Sequence, residues 1–384
     1  SSAASDVYKR QVLHGSELEH ARAVVESFRT GAGPRLDAQL RERASEREAA
    51  GTNWLNDEWY SSYLTTRSPL TLASNVGFQL AFPGADGMSG LDRAVDIIRR
   101  AATVHLAAAS GDTAEDVDSR GNRITMNQWF VYAGGIRQPD KGEDAVVATQ
   151  LGAANREIGV FVDGRLFALP VSDADGVVVS AAALRAGLEK VRTHEAAAVD
   201  FNAPSLLGSG VLADLLPAIL NQGDNRATYQ RLTDMLFTVE LQSNGPATSS
   251  DAERIREATF APRGAWVYKP LSYLVDLDSD WVTVHVEHSC QDGATLVTAV
   301  TRMQDAELPA GTSIDAEPAE LTWELDDTTT QQITTHLETF KAQAGTLRTD
   351  IVTVPHDIPA DLPFKLSRDA VSYTHLRAHE TDSY

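Results

Sequence analysis

The residues of this chain best suited to chemistry lie in one stretch, HVEHSCQDGA, at 285–294. It combines an imidazole at His288 with a carboxylate and a glycine at Asp292 and Gly293. A neutral imidazole can take a proton from a hydroxyl or a thiol near neutral pH, which is general-base catalysis. A carboxylate followed by a glycine is suited to holding the turn that presents such an imidazole. We therefore take His288 as a candidate general base and Asp292 as its supporting residue.

Three other interpretations of this stretch are weaker. A zinc deaminase built on His285 and Glu287 would need a pair of cysteines, and the chain has a single one, Cys290. His285 and His288 as joint metal ligands would lie on opposite faces of a strand, so we predict no metal site. Cys290 could act as a nucleophile with His288 as its base, although a small residue tolerated in a turn is the simpler explanation.

The element expected to position His288 is a β-strand. Valines at 282, 284 and 286 alternate with polar residues, which predicts a strand over 281–288. Because side chains alternate between the two faces of a strand, this pattern places His288 on the buried face with the valines and His285 on the other face.

The rest of the chain mixes helical and extended patterns. Asp163-Gly164 between two β-rich runs predicts a hairpin within 157–171. Gly208-Ser209-Gly210 matches a dinucleotide-binding pattern loosely, but no strand precedes it, so we interpret it as the entry to a helix. Trp54, Trp59 and Tyr60 have helical spacing and are predicted to lie in the core. Apolar periodicity predicts helices over 16–50 (with a break at 31–34), 54–66, 86–110, 181–192, 211–221, 228–241 and 329–347, and further strands over 264–276, 321–325 and 351–355.

Composition excludes several classes of partner. The chain has 384 residues, 42% of them hydrophobic, which is enough for a globular protein with more than one domain. Its formal charge of −21 argues against nucleic acid or an anionic membrane as the main partner. No apolar run approaches the roughly 18 residues of a membrane span. A single cysteine favours a reducing, intracellular compartment.

The two ends of the chain resemble translated sequencing-adapter DNA rather than protein-coding sequence. They are SSAASDVYKRQ at 1–11 and VSYTHLRAHETDSY at 371–384, and we leave them out of the reasoning about the fold. We expect the natural protein to extend further at both ends.

The H-x-x-x-D-G pattern of His288, Asp292 and Gly293 resembles the motif of the coenzyme A-dependent acyltransferase superfamily. Other stretches resemble, in order, the choline/carnitine O-acyltransferase family; they lie at 54–75, 93–101, 126–144, 155–169, 225–241 and 265–275. The resemblance implies an α/β, chloramphenicol-acetyltransferase-like fold, a mixed sheet with packed helices in each of two similar halves. It divides this chain into an N-terminal helical region (12–85), a catalytic half (86–307), a joint (308–320) and the start of a second half (321–370).

The resemblance also implies a reaction. An acyl group moves directly between coenzyme A and the hydroxyl of carnitine or a related amino alcohol, without an acyl-enzyme, and His288 takes the proton of the attacking group. Asp292 matches a position that is mainly structural. Lys365, Ser367 and Asp369 match a stretch near coenzyme A, although Arg368 replaces the proline of that stretch. Acyl-coenzyme A is expected as a co-substrate, and no prosthetic group is expected.

Two alternatives stay open at this point. The chain could be a non-catalytic relative that binds acyl-coenzyme A or a partner, because few basic residues accompany Lys365, or an acyltransferase with another acceptor such as choline. We further expect a monomer, a cytoplasmic location with an organelle as the alternative, and little activity from these 384 residues alone. The length of the acyl chain cannot be read from the sequence.

Overall fold

The computed structural model describes residues 13–118, 120–192, 199–243 and 250–352, and these fall into two compact units. The described part of the first unit holds two helices, α1 (Gly15–Thr30) and α2 (Ala32–Ala49), which separate at the predicted break. Trp54, also in this unit, is 54% exposed, so its predicted place in the core is wrong.

The second unit, Leu55–Ile351, is built around a seven-stranded mixed sheet. The strands of this unit are β1 (Val76–Leu80), β2 (Gly135–Gln138), β3 (Ala145–Ala148), β4 (Glu157–Val162), β5 (Arg165–Pro170), β6 (Thr238–Gln242), β7 (Leu271–Asp276), β8 (Val282–Val286) and β9 (Ala319–Leu321). Strands β2 and β3 form a separate two-stranded sheet, and the other strands form the large sheet. The order in the large sheet is β1-β8-β7-β6-β4-β5-β9. Strand β6 is parallel to β4 and β7, and the other pairs are antiparallel.

Helices pack on both faces of this sheet. The helices described in this unit are α3 (Asn56–Leu64), α4 (Leu70–Ala73), α5 (Gly90–Ser110), α6 (Ala181–Val191), α7 (Ser209–Leu220), α8 (Asn225–Asp234), α9 (Asp251–Phe260), α10 (Gly293–Asp305) and α11 (Asp327–Ala344). The larger core joins the valines of the central strands to α5, α6 and α10. A second core joins Phe161 and Leu166 to α7, α8 and α11 on the opposite face. A mixed sheet with helices packed on it is the α/β architecture that the resemblance predicted.

Two local sequence signals are confirmed. Asp163 and Gly164 both have positive φ angles, 47° and 81°, and they form the two-residue turn of the β4–β5 hairpin. Gly208 precedes α7 with φ of 89°, and a Cβ there would lie 2.7 Å from the backbone nitrogen of Pro69. Glycine is therefore required at this position to start the helix, which agrees with its interpretation as a helix entry.

The strand that carries the site ends earlier than predicted. Strand β8 stops at Val286, and residues 288–290 form a turn. Since the alternation of side chains ends with the strand, His288 does not continue the buried face of the valines. It lies half-buried in the turn instead.

Two longer predictions also need correction. The helix predicted over 228–241 ends at Asp234, and its second half is the central strand β6. The strand predicted over 264–276 begins only at Leu271.

The proposed joint at 308–320 lies within the second unit, where Thr312 bridges to Val179 and strand β9 pairs with β5. As a boundary between two halves of a complete protein, it stays a prediction.

Candidate active site

The turn after β8 places the His288 imidazole against two aromatic rings. Its Nδ1 lies 3.2 Å from the hydroxyl oxygen of Tyr63. The rings of Trp59 and Tyr63 meet it edge to face, with centroids 5.8 and 5.0 Å away. The imidazole is thus half-buried against aromatic side chains rather than enclosed by aliphatic ones, and one of its nitrogens is fixed.

Helix α3 supplies both aromatic neighbours. Trp59 and Tyr63 are four residues apart, so they project from the same face of the helix. The indole Nε1 of Trp59 also donates a hydrogen bond to the carbonyl oxygen of Ser289 at 3.0 Å. The sequence indicated Trp59 only as a core residue and did not single out Tyr63. Their spacing is the signal by which both could have been found.

A buried chain of alternating charges lies beside the turn. Glu287 is buried, and its Oε1 accepts from Arg137 Nη1 at 2.8 Å. Arg137 Nε donates in turn to Asp144 Oδ2 at 2.8 Å, and Arg67 Nη2 lies 2.6 Å from Asp144 Oδ1. Burial works to lower the pKa of Arg137, yet Glu287 and Asp144 together raise it above its ordinary value. Two arginines and two carboxylates alternate in this chain, so each charged group lies against one of opposite sign.

Asp292 organises the segment that follows the turn. Its Oδ1 accepts a hydrogen bond from the backbone N–H of Thr295 at 3.0 Å, which caps the N-terminus of α10. Its own backbone N–H donates to Gln128 Oε1 at 3.0 Å. Asp292 thus caps the helix that follows the turn, and its role in support of His288 stays a prediction.

Cys290 is unsuited to nucleophilic catalysis. Its side chain is 0% exposed and belongs to the larger core. Burial is the main cause that raises the pKa of its thiol well above the ordinary value, and the negative charge of Glu287 adds to it. The thiolate that a cysteine nucleophile requires is therefore disfavoured here.

His285 does not form a metal site with His288. Its Nδ1 lies 3.0 Å from the carbonyl oxygen of Ala258, and its Nε2 accepts from Asn75 Nδ2 at 3.0 Å. Burial lowers the pKa of His285 to about 4, so the ring is neutral, and both of its nitrogens are already bonded. Among the residues that the structure describes, no three or more histidines, cysteines or carboxylates are grouped to hold a metal ion.

The residues predicted near coenzyme A cannot be placed. Lys365, Ser367 and Asp369 lie outside the described residues.

Across the described ranges, none of the helices has the length and apolar character needed to cross a membrane.

A cavity of about 560 Å³ is lined by residues of the large sheet and of neighbouring helices. The face of the sheet opposite the larger core forms part of its wall with Glu240, Thr283 and His285, and helix α11 contributes Leu337 and Phe340. Desolvation raises the pKa of Glu240 to about 7. His288 is not among the residues that line this cavity, so the imidazole does not form part of its wall.

Comparison with known proteins gives one family and a consistent set of relatives. The family model described as choline/carnitine O-acyltransferase matches residues 8–373. Carnitine O-palmitoyltransferase 2, mitochondrial, of Bos taurus is 22% identical over 392 residues, which cover 90% of this chain and 58% of the relative. The Rattus norvegicus and Homo sapiens proteins of the same name are each 23% identical, and the matches cover 95% of this chain and 61% of theirs. The chain therefore spans about three fifths of the length of these relatives.

Proposed function

Because this chain belongs to the choline/carnitine O-acyltransferase family, we propose that it moves an acyl group between coenzyme A and the hydroxyl of carnitine or a related amino alcohol. The observation that carries the proposal is the His288 imidazole, half-buried in the turn after β8 and bonded at Nδ1 to Tyr63. Asp292 supports that turn as the cap of α10. Acyl-coenzyme A is a substrate in this scheme, and no prosthetic group takes part.

The proton transfers follow from the position of the imidazole. Nε2 of His288 takes the proton of the acceptor hydroxyl while that oxygen attacks the thioester carbonyl. The new C–O bond forms, the C–S bond breaks, and the departing thiolate of coenzyme A receives the proton back from the imidazolium. In the reverse direction the thiol of coenzyme A is the group that His288 deprotonates.

Tyr63 can accept the hydrogen bond of the His288 tautomer that this step needs. For Nε2 to be the free base, Nδ1 must carry the hydrogen and donate it to the Tyr63 oxygen 3.2 Å away. Burial, and next the negative charge of Glu287, raise the pKa of the Tyr63 hydroxyl. The phenol therefore stays neutral at physiological pH and orients the imidazole without adding a charge beside it.

The central test is His288→Ala in the complete gene product, assayed with acetyl-coenzyme A and carnitine by release of the coenzyme thiol. We expect kcat to fall by about 10²- to 10⁴-fold, the usual contribution of a general base. His336→Ala on the exposed face of α11 is the matched control and should leave the rate unchanged. Undiminished turnover in His288→Ala would refute the assignment of the base.

The acceptor and the acyl chain need a separate experiment. The relatives carry carnitine and palmitoyl in their names, so acetyl- and palmitoyl-coenzyme A should each be incubated with carnitine and with choline, and the products weighed by mass spectrometry. An acylcarnitine product supports the proposal, and an acylcholine product supports the other acceptor. Binding of acyl-coenzyme A without any product supports the non-catalytic alternative.

Two expectations stay predictions. The 384-residue chain should turn over far more slowly than the complete gene product, because it spans only about three fifths of its relatives; equal rates would contradict this. The relatives are named as mitochondrial, whereas the sequence favoured the cytoplasm, and fractionation of cells that express the complete gene product would decide between the two.

A further inference from the structure

The buried charges beside the turn converge on a single guanidinium. We infer that Arg137 is a positioning residue for His288, an inference that rests on the proposed function. Arg137 Nη1 donates to the carboxylate of Glu287, the residue that directly precedes His288. Arg137 Nη2 donates to the carbonyl oxygen of Tyr63 at 2.9 Å, and the hydroxyl of the same Tyr63 lies against His288 Nδ1. One side chain thus holds both the chain that carries the imidazole and the residue that orients it.

The shape of the guanidinium is what gives this contact its effect. Its N–H groups form a flat, rigid fork, so two partners bound to it are fixed in distance and direction relative to each other. The fork therefore sets the separation between the turn at Glu287 and the end of α3 at Tyr63. A lysine at 137 would keep the charge but could not fix both partners in one plane.

The fork is itself anchored to a third element. Arg137 Nε donates to Asp144, whose carboxylate also accepts from Ser209 Oγ at 2.5 Å at the start of α7. Arg137, Asp144 and Glu287 all have side chains that are 0% exposed. Because these side chains are buried, a shift of the guanidinium away from Glu287 would leave that carboxylate without the cation that it pairs with, so alternative positions are costly.

The turn is tied to the same network from its other side. Ser289, the residue after His288, donates from Oγ to Glu287 Oε2 at 2.5 Å, and its backbone N–H donates to Glu287 Oε1. One chain neighbour of His288 therefore carries the carboxylate that Arg137 holds, and the other neighbour is hydrogen-bonded to it. The imidazole has little freedom except rotation of its own side chain, and Tyr63 limits that rotation.

A purely structural arginine offers the comparison that separates positioning from stability. Arg156 is as deeply buried as Arg137, but its guanidinium donates to backbone carbonyls such as those of Ala133 and Asp234. Arg156→Lys should therefore cost stability without altering His288, whereas Arg137→Lys should alter His288 itself.

The decisive readout is the imidazole tautomer, followed by NMR of the complete gene product labelled with ¹⁵N-histidine. The resonances of His288 are assigned by their loss in His288→Gln. In the parent protein we expect the hydrogen on Nδ1 and a free Nε2. In Arg137→Lys we expect the population with the hydrogen on Nε2 to rise, because Tyr63 no longer faces Nδ1. Arg156→Lys should give the parent pattern.

Activity gives a second readout. We expect kcat of Arg137→Lys to fall on the order of 100-fold with KM for acetyl-coenzyme A little changed, as for a displaced catalytic group. Glu287→Gln keeps the shape of the side chain, is expected to lose on the order of tenfold in kcat, and decides the matter if Arg137→Lys does not fold. A folded Arg137→Lys variant that keeps the parent tautomer, or a folded Glu287→Gln variant that keeps it where Arg137→Lys does not fold, would overturn the inference.

The two proposals fail in different ways. If the complete gene product transfers no acyl group, the proposed function fails, while the tautomer measurement still reports whether Arg137 orients His288. If the gene product is active and the tautomer of Arg137→Lys matches that of Arg156→Lys, the positioning role fails and the function stands.

Discussion

Tyr63 and His288 are held together by a hydrogen bond between a neutral phenol and an imidazole, where many hydrolases place a carboxylate. The pKa of the phenol is raised, mainly by burial, so its charge does not change around neutral pH. The phenol can therefore orient the imidazole without placing a negative charge beside it. The proposed base should depend on this hydroxyl for its direction more than for its basicity.

Removal of the hydroxyl tests that dependence. We expect Tyr63→Phe to lower kcat about fivefold, because one hydrogen bond of about 1 kcal/mol would no longer hold the ring. Thiol-release kinetics of the complete gene product provide the measurement. Tyr60→Phe makes the same change elsewhere on α3 and should have little effect. A Tyr63→Phe rate equal to that of the parent would show that the turn alone orients His288.

The burial of Cys290 can be tested by the reactivity of its thiol. Since the 384-residue chain has no other cysteine and this one is 0% exposed, a disulfide reagent should modify the native chain only through unfolding. We expect no reaction on the scale of minutes in buffer and complete reaction in denaturant. Rapid modification of the native chain, followed by absorbance of the released thiol, would contradict the burial described.

At the scale of elements, two helices have an aspartate as their N-cap, one beside the candidate site and one in another part of the unit. Asp292 caps α10 beside the candidate site, and Asp326 caps α11 by accepting from the backbone N–H of Thr329 at 2.7 Å. Each Asp→Ala change should lower the free energy of unfolding by about 1 kcal/mol, as measured by urea denaturation.

The activities of the two variants should then differ. We expect Asp292→Ala to lower kcat because α10 begins directly after the site turn, and Asp326→Ala to leave kcat unchanged. Asp292→Asn should recover most of both losses, since asparagine is an equally good cap. Equal activities in the two alanine variants would leave Asp292 with no role beyond that of an ordinary cap.

Strand β6 shows where local patterns misled the prediction. Leu232, Met235, Leu236 and Val239 recur at helical spacing, and this pattern favoured a helix as far as 241. Phe237, Val239 and Leu241 also alternate, which is typical of a strand, and short apolar runs fit both patterns. Pairing with β4 and β7 decides for the strand, and that tertiary contact leaves no local signal.

The residues of the candidate site also differ in whether local sequence patterns can predict them. His288 and Asp292 could be predicted because they lie in one short motif. Arg137 precedes Glu287 by 150 residues and Tyr63 precedes His288 by 225, so only the folded chain brings them together. Sequence reasoning could find the candidate base but not the side chains that contact it and its turn.

At the scale of the whole molecule, two buried histidines link stability to pH. Burial lowers the pKa of His285 to about 4 and that of His105 to about 3. An unfolded chain takes up a proton at both near pH 6.5, while the folded chain does not. The unfolded state therefore binds more protons below pH 6.5, and stability should be lost as the pH falls from there towards 4.

We expect each histidine to lower the free energy of unfolding on the order of 2 kcal/mol between pH 6.5 and pH 5. Glu240 acts in the opposite direction, because its pKa is raised to about 7 and the folded state binds its proton more readily. Urea denaturation of the Glu240→Gln variant should therefore show a steeper loss on acidification than the parent chain. Constant stability of this variant from pH 6.5 to 5 would contradict the prediction.

The pairing of β1 with β8 sets the order in which the molecule can be assembled. Val76 meets Val286, 210 residues further along the chain. At a synthesis rate of about 5 to 20 residues per second, an emerging β1 would wait roughly 10 to 40 s for this partner. Throughout that interval the N–H and C=O groups of β1 are unpaired and can bond to another strand nearby. The turn that bears the imidazole, which β8 carries, would therefore take shape late, and newly made chains would be most vulnerable to aggregation just before it does.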